Sequence, residues 1–300
     1  MTQPPEILCI GAALWDVIGR APQRMRPGAD VPGQMTRLPG GVALNIALAL
    51  ARQGMRAAIL AAVGRDALGD ALVAEVAAQG VETGFLYRPE DLPTDAYMAI
   101  EDADGLIAAI ADSSTLETAG QYLLDPLADG RLGTETAPYA GMIALDGGLT
   151  HAQLSGLASA RILSRADLRL VPASPGKAAR LMPFFDRPQT IFYLNREEAG
   201  ILCASSFADS ASAALAMLAR GAGRVIITDG AAAACDADAG ELITRTPPVV
   251  RVQRVTGAGD TFMAVHMALE FLGASRRDAL EHALRIAADH VAMAPETRAP

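Results

Sequence analysis

The chain has 300 residues, and its Lys+Arg 25 against Asp+Glu 34 give a net charge of −9, so no global basic field exists to hold nucleic acid or an anionic membrane. Hydrophobic residues at 51% and charged residues at 20% exclude a disordered chain. With aromatics at only 4%, small aliphatics must fill the core, which suits buried parallel strands. Cys9, Cys203 and Cys235 stand far apart and in no CxxC spacing, which argues against a disulfide framework or a zinc site and fits a reducing compartment. Residues 1–6 carry no basic segment leading into an apolar stretch, and no apolar run approaches about 18 residues. A cytoplasmic location without membrane or nucleic-acid partners is therefore expected.

In chain order, the apolar run 7–14 passes through Gly11 into Asp16 and predicts a buried strand with Asp16 near its carboxyl edge. Residues 20–38 are too polar and too broken by proline and glycine for core, leaving 33–38 as a short edge strand. Gly40 and Gly41 open a helix over 42–51. A strand over 56–63, a helix over 68–79 and a short strand at 80–81 continue a βαβ rhythm. Residues 96–100 and 106–111, joined through Asp104-Gly105, predict a β-hairpin inserted in that series.

The rhythm resumes with strands over 141–145, 168–171, 190–194 and 224–228, and helices over 150–163, 197–202 and 209–219. A hairpin over 231–235 and 241–244 and two helices, 260–272 and 276–293, close the chain. The whole reads as one α/β unit of residues 1–300 with a small β lid from about 13–38 and 92–112. Ligands of open α/β sheets sit beyond the carboxyl ends of strands, which nominates Asp16, Asp146, Asn195 and 228–230 for one cleft.

The strongest local motif is Thr256-Gly257-Ala258-Gly259-Asp260, leading into a helix. A helix N-terminus carries unsatisfied N–H donors and about half a positive charge, and the glycines leave those donors accessible, so an anionic phosphoryl group can rest there beside Asp260. The competing reading is a tight turn with Asp260 as an ordinary cap. Gly40-Gly41 with Asn45 one turn later admits a ligand near the backbone, and Asn45 suits sugar hydroxyls; a plain helix start competes equally. Asn195-Arg196-Glu197-Glu198 either begins a helix with acids placed for its dipole or sets Glu198 near a hydrated Mg2+. GxSxG, HExxH, GxxxxGK[ST] and GxGxxG after the first strand are all absent, which takes the main support from serine hydrolase, zincin, P-loop and dinucleotide oxidoreductase readings. His151, His266, His282 and His290 show no metal-ligand spacing and are read as structural.

Jointly, 10–16, Gly40-Gly41 to Asn45, Asn195 to Glu198, Thr228-Asp229-Gly230 and Gly257-Ala258-Gly259-Asp260 resemble, in order and over nearly the whole chain, the ribokinase-like (PfkB) sugar and nucleoside kinases. The resemblance implies a three-layer α/β/α sandwich with a mostly parallel sheet and a β lid. It implies Asp260 as general base, Gly257, Ala258 and Gly259 as an anion hole, and Asp16, Gly40, Gly41 and Asn45 as sugar contacts. Asn195, Thr228 and Gly230 would serve ATP, with Gly257 and Gly259, and Glu198 would serve Mg2+.

Within the family, Pro32-Gly33, 38–42, 94–97, 102–105, 109–112 and Pro172-Ala173-Ser174 with Lys177 are similar to pseudouridine kinases, which implies a nucleoside acceptor and Thr94 and Asp112 as its lid contacts. A free-sugar kinase and a non-catalytic nucleoside sensor are the competing functions. Two departures stand out. Arg254 replaces the Asp or Asn found beside a monovalent cation in many relatives, so K+ dependence is not expected; and Val171-Pro172 lacks a frequent acidic residue. The lid also offers a surface for a homodimer.

Overall fold

A computed structural model describes residues 5–293, so part of the 1–6 opening and the end of the 1–300 unit lie outside the described residues. Eight strands form one sheet in the order β12-β11-β10-β9-β8-β7-β1-β4: β1 (Ile7–Ile10), β4 (Ala57–Leu60), β7 (Met142–Asp146), β8 (Asp167–Val171), β9 (Ile191–Asn195), β10 (Arg224–Asp229), β11 (Ala232–Asp238) and β12 (Leu242–Arg245). Neighbours from β4 to β10 are parallel, and β11 and β12 run antiparallel at one edge.

Side chains alternate across a strand, and β1 shows the consequence: Ile7 and Cys9 enter one apolar cluster while Leu8 and Ile10 enter the other. The first cluster packs against α1 (Val42–Arg52), α2 (Ala67–Ala78), α7 (Ala258–Phe271) and α8 (Arg276–Ala292). The second packs against α3 (Ser114–Ala119), α4 (His151–Ser159), α5 (Arg196–Cys203) and α6 (Ser210–Ala219). This is the expected three-layer sandwich. α7 is further pinned to the sheet by a buried charge network, in which Arg169 and Arg224 both bond Glu270 at 2.6 Å.

The lid is a separate sheet in the order β3-β2-β5-β6, built from β2 (Leu14–Arg20), β3 (Gln34–Gly40), β5 (Ala96–Asp102) and β6 (Gly105–Asp112). One expectation is corrected by it. The run 7–14 is not one strand: the chain leaves the large sheet at Gly11, whose φ of 147° turns it into the lid. Asp16 is thus the third residue of lid strand β2, not the edge of a core strand. The strand expected at 80–81 is reduced to an isolated bridge between Ala58 and Glu82, and the helix expected over 150–163 stops at Ser159, with a short 3-10 turn following. Residues 175–186, not read as an element from sequence, form 3-10 turns that present Lys177.

Asp146, at the end of β7, ties these parts together. Fully buried, it accepts hydrogen bonds from the amides of Ala12 (2.9 Å), Ala43 (3.0 Å) and Gly148 (2.7 Å). The exit from β1, the start of α1 and the loop after β7 therefore share one carboxylate. Gly41 precedes α1 with φ 98°, and a Cβ there would overlap the Ala12 carbonyl. Gly41→Ala is expected to cost at least ~2 kcal/mol in urea unfolding. Gly80→Ala, also at positive φ but with nothing within 4 Å of the added methyl, should cost only about 1 kcal/mol.

Candidate active site

Three helices begin around the carboxyl ends of the parallel strands. α1 follows Gly41, α5 is capped by Asn195 at the end of β9, and α7 is capped by Gly257 in the left-handed conformation, φ 79°. The two glycine motifs, more than two hundred residues apart in sequence, meet directly: the Asn45 side-chain amide donates to Asp260 Oδ2 at 2.8 Å. Asn45 projects from the second turn of α1 and Asp260 from the first turn of α7, so the packing of these two helices sets the contact.

Although part of Asp260 faces the cleft, its carboxyl is desolvated, and that raises its pKa from 3.8 to about 7. Asn45 opposes the shift by bonding the charged form, while the charges of Asp146, Asp16 and Glu198 reinforce it. Asp16 is itself pushed up to about 6 by burial and Glu198 to about 7 by the same cause. Asp16, Asp146 and Glu198 thus lie close enough to act on Asp260, and the Lys177 charge favours ionised Asp146. These four carboxylates do not bring three ligand atoms within metal distance of one another among the described residues; Glu198, a mostly buried hard oxygen donor, suits a single contact to a hydrated Mg2+.

The α7 start has the openness an anion needs. A Cβ at Gly259 would meet nothing within 4 Å. Among the described residues no acceptor is found for the amides of Gly257, Gly259 and Asp260, whereas the Ala258 amide is occupied by Val255 O at 3.2 Å. The donors available at this helix start are therefore those of Gly257, Gly259 and Asp260, and Ala258 drops out of the expected hole. Asp260 contributes both a carboxylate and an amide.

Asn195 and Glu198 form a reciprocal capping box: Glu198 N donates to Asn195 Oδ1 at 2.8 Å, and Asn195 N donates to Glu198 Oε2 at 2.9 Å. The capping reading holds for both, and it also fixes the Glu198 carboxylate, 8% exposed, near Asp260. Asn195, Thr228 and Gly230 line one open cleft of about 760 Å³. Asp229 and Arg196, paired at 2.8 Å, line it together with apolar Ile201 and Phe207.

Lid residues divide. Asp16 pairs with Leu38 and Tyr97, and Gly40 lies so close that a Cβ would overlap the Asp16 carboxylate. Thr94 instead donates its hydroxyl to Asp66, the cap of α2, at 2.7 Å. Asp112 pairs with Ala96, in register with Trp15, and so stands on the opposite sheet face from Asp16; its carboxylate accepts from Ser114 Oγ at 2.7 Å. The structure does not bring these two into the Asp16–Asn45–Asp260 group. Asp146, nominated from its strand-end position as one candidate for the cleft, serves instead to bind three backbone amides; its place before Gly147-Gly148 was the available signal. Elsewhere, Asp236, His266 and Glu270 cluster at metal-like distances. Arg169, Arg224 and Arg276 already occupy both carboxylates, so the cluster is read as structural.

Because Asp260 holds its proton more tightly folded than unfolded, its charge costs stability as pH rises from about 4 to about 7. Asp260→Asn should therefore melt within a degree or so of the wild type near pH 4 and a few degrees above it beyond about pH 7. Thermal unfolding across pH checks this; a variant that melts lower throughout would contradict it.

The chain matches the pfkB family carbohydrate kinase pattern over residues 4–292. It is 29% identical over 272 residues to the pseudouridine kinase of Escherichia coli, covering 88% of this chain and 83% of that protein. It is 26% identical over 266 residues to mouse ribokinase, covering 86% and 79%. The structure of Arabidopsis thaliana ribokinase complexed with ribose and ATP superimposes with a TM-score of 0.78, over 96% of this chain and 93% of that one, at 19% identity. With its fold, its paired glycine motifs and this match along almost its entire length, the chain belongs to the PfkB carbohydrate kinase family.

Proposed function

We propose that this kinase transfers the γ-phosphoryl group of ATP to the 5'-hydroxyl of pseudouridine, acting as a single unit whose lid closes over the acceptor. The observation that carries the chemistry is the Asn45–Asp260 bond at 2.8 Å on a carboxyl titrating near pH 7. A base must be unprotonated at working pH yet basic enough to accept a proton, and a pKa near neutrality meets both needs. Asp260 takes the proton of the acceptor hydroxyl, whose oxygen attacks the γ-phosphorus as ADP departs. The Gly257, Gly259 and Asp260 amides, with the α7 dipole, receive the charge on the transferred group.

Asp16 from the lid and Gly41 and Asn45 from α1 hold the sugar, while Asn195, Thr228 and Gly230 take the nucleotide. Glu198 would hold Mg2+, which when bound supplies charge neutralisation for the phosphates. Pseudouridine as acceptor is supported by the lid and 172–177 segments and by the E. coli relative; free ribose is the alternative supported by the mouse relative. A sensor without turnover would have no use for a desolvated base near neutrality. With Mg-ATP, ADP release is expected with pseudouridine and not with uridine, cytidine, ribose or fructose, and Asp260→Asn should reduce it about 10²-fold or more. Turnover on ribose alone would replace the acceptor and keep the kinase.

Arg254, two residues before Thr256, carries a fixed positive charge that bonds His290 at the end of α8. Turnover in K+, Na+ or tetramethylammonium buffers should agree within about twofold, because a guanidinium there opposes a second cation; strong activation by K+ would refute this.

The lid presents Met98, Ile100, Leu106, Ile107 and Ile110 to solvent, with β6 exposed along its length. We infer a homodimer through this sheet, since a long apolar edge strand is otherwise a liability. Ile110, 71% exposed, should be the sensitive position: Ile110→Glu is expected to shift the sedimentation coefficient from dimer to monomer, and a wild-type monomer would contradict the inference.

A further inference from the structure

The loop that supplies the anion-binding amides is not held by its own helix alone. It is fastened to the far end of α8. The amides of Gln253 and Arg254 donate to Val291 O at 3.0 and 3.2 Å, and Arg254 Nε donates to His290 O at 3.1 Å. These carbonyls lie in the last turn of α8, where a cation is favoured; His290 O also accepts from the Met293 amide at 3.3 Å. Arg254 Nη2 bonds His290 Nδ1 at 2.9 Å, with Thr261 Oγ1 at 3.3 Å from the same nitrogen, and His290 Nε2 bonds Thr256 O at 3.0 Å.

These contacts determine where the ring proton is. A guanidinium only donates, so Nδ1 must present its lone pair. The proton then sits on Nε2, which is the nitrogen facing the Thr256 carbonyl. The opposite tautomer would set a proton against Arg254 and a lone pair against Thr256 O. In a trans peptide the carbonyl and the following N–H point in opposite directions. A ring that holds Thr256 O toward α8 therefore turns the Gly257 N–H away from α8. Gly257 admits this both by its left-handed backbone and by lacking a Cβ, which would lie 3.3 Å from His290 Nε2.

We propose that His290 is a positioning residue for phosphoryl transfer: its tautomer, set by Arg254, holds the Thr256–Gly257 peptide so that the Gly257 amide faces the transferred group. This rests on the reading of the α7 start as the phosphoryl site. The role differs from binding, because a peptide free to rotate would still let substrates in but would present the amide to the transition state only part of the time.

Two measurements on the full chain test it. The first needs no substrate: two-bond 15N–1H correlation spectra of the labelled protein at pH 7 should show His290 protonated at Nε2 and bare at Nδ1. A ring protonated at Nδ1, or at both nitrogens, overturns the proposal. The second is steady-state kinetics with the acceptor that turns over. His290→Ala should lower kcat about tenfold to a hundredfold with both KM values within about threefold. His290→Gln, whose amide can still donate to Thr256 O, should recover most of the loss. A kcat unchanged in His290→Ala, or a loss seen only in KM, overturns the proposal even if the melting temperature falls. Should no acceptor turn over in the wild type, it is the kinase reading that fails, and the ring tautomer then decides the clamp.

Discussion

The hydrogen bond between Asn45 and Asp260 depends on almost everything else in the molecule, and the proposed chemistry depends on it. Asn45 reaches Asp260 only because α1 and α7 pack on the same face of the sheet. α1 starts where it does because Asp146 collects the amides of Ala12 and Ala43. α7 is held at its C-terminal half by Glu270 against Arg169 and Arg224, and at its N-terminal loop by α8. A buried carboxylate accepting three backbone donors at strand and helix ends is costly to desolvate. It is also rigid, because each donor would be left unpaired if it moved.

That rigidity sustains an electrostatic conflict. Desolvation raises the cost of ionising Asp260, and the charges of Asp146, Asp16 and Glu198 raise it further. A fold optimised for stability alone would replace or pair them. Retaining them suits a site that neutralises part of the charge with a bound cation and uses the remainder as a base tuned close to neutrality. The lid enters the same balance, since Asp16 arrives from β2 and its burial there raises its pKa.

Most of the fold was legible because strand and helix periods in this chain are long and clean. Ile7 to Ile10 alternate between two cores, and 42–52 is apolar almost throughout. The split at Gly11 escaped because an apolar run does not reveal a change of sheet; that turn is set by Asp146, distant in sequence. Residues 175–186 escaped because Pro175 at the start and Pro183 inside the segment obscure a helical period. At the site, the glycine motifs announced two helix starts, but only tertiary structure could show that Asn45 touches Asp260. Thr94 and Asp112 found local partners in Asp66 and Ser114 that composition cannot foresee. Arg254 stood out as an unexpected charge, while its ring partner His290 was read only as structural, because the contact joins a loop to the end of another helix.

The measurement that bears most directly on the central claim is a 13C titration of the Asp260 carboxyl in the wild type and in Asn45→Ala. The account places the wild-type midpoint at about 7 and moves it higher in the variant, because Asn45 bonds the charged form. A midpoint near the ordinary 3.8, unmoved by loss of Asn45, would contradict it.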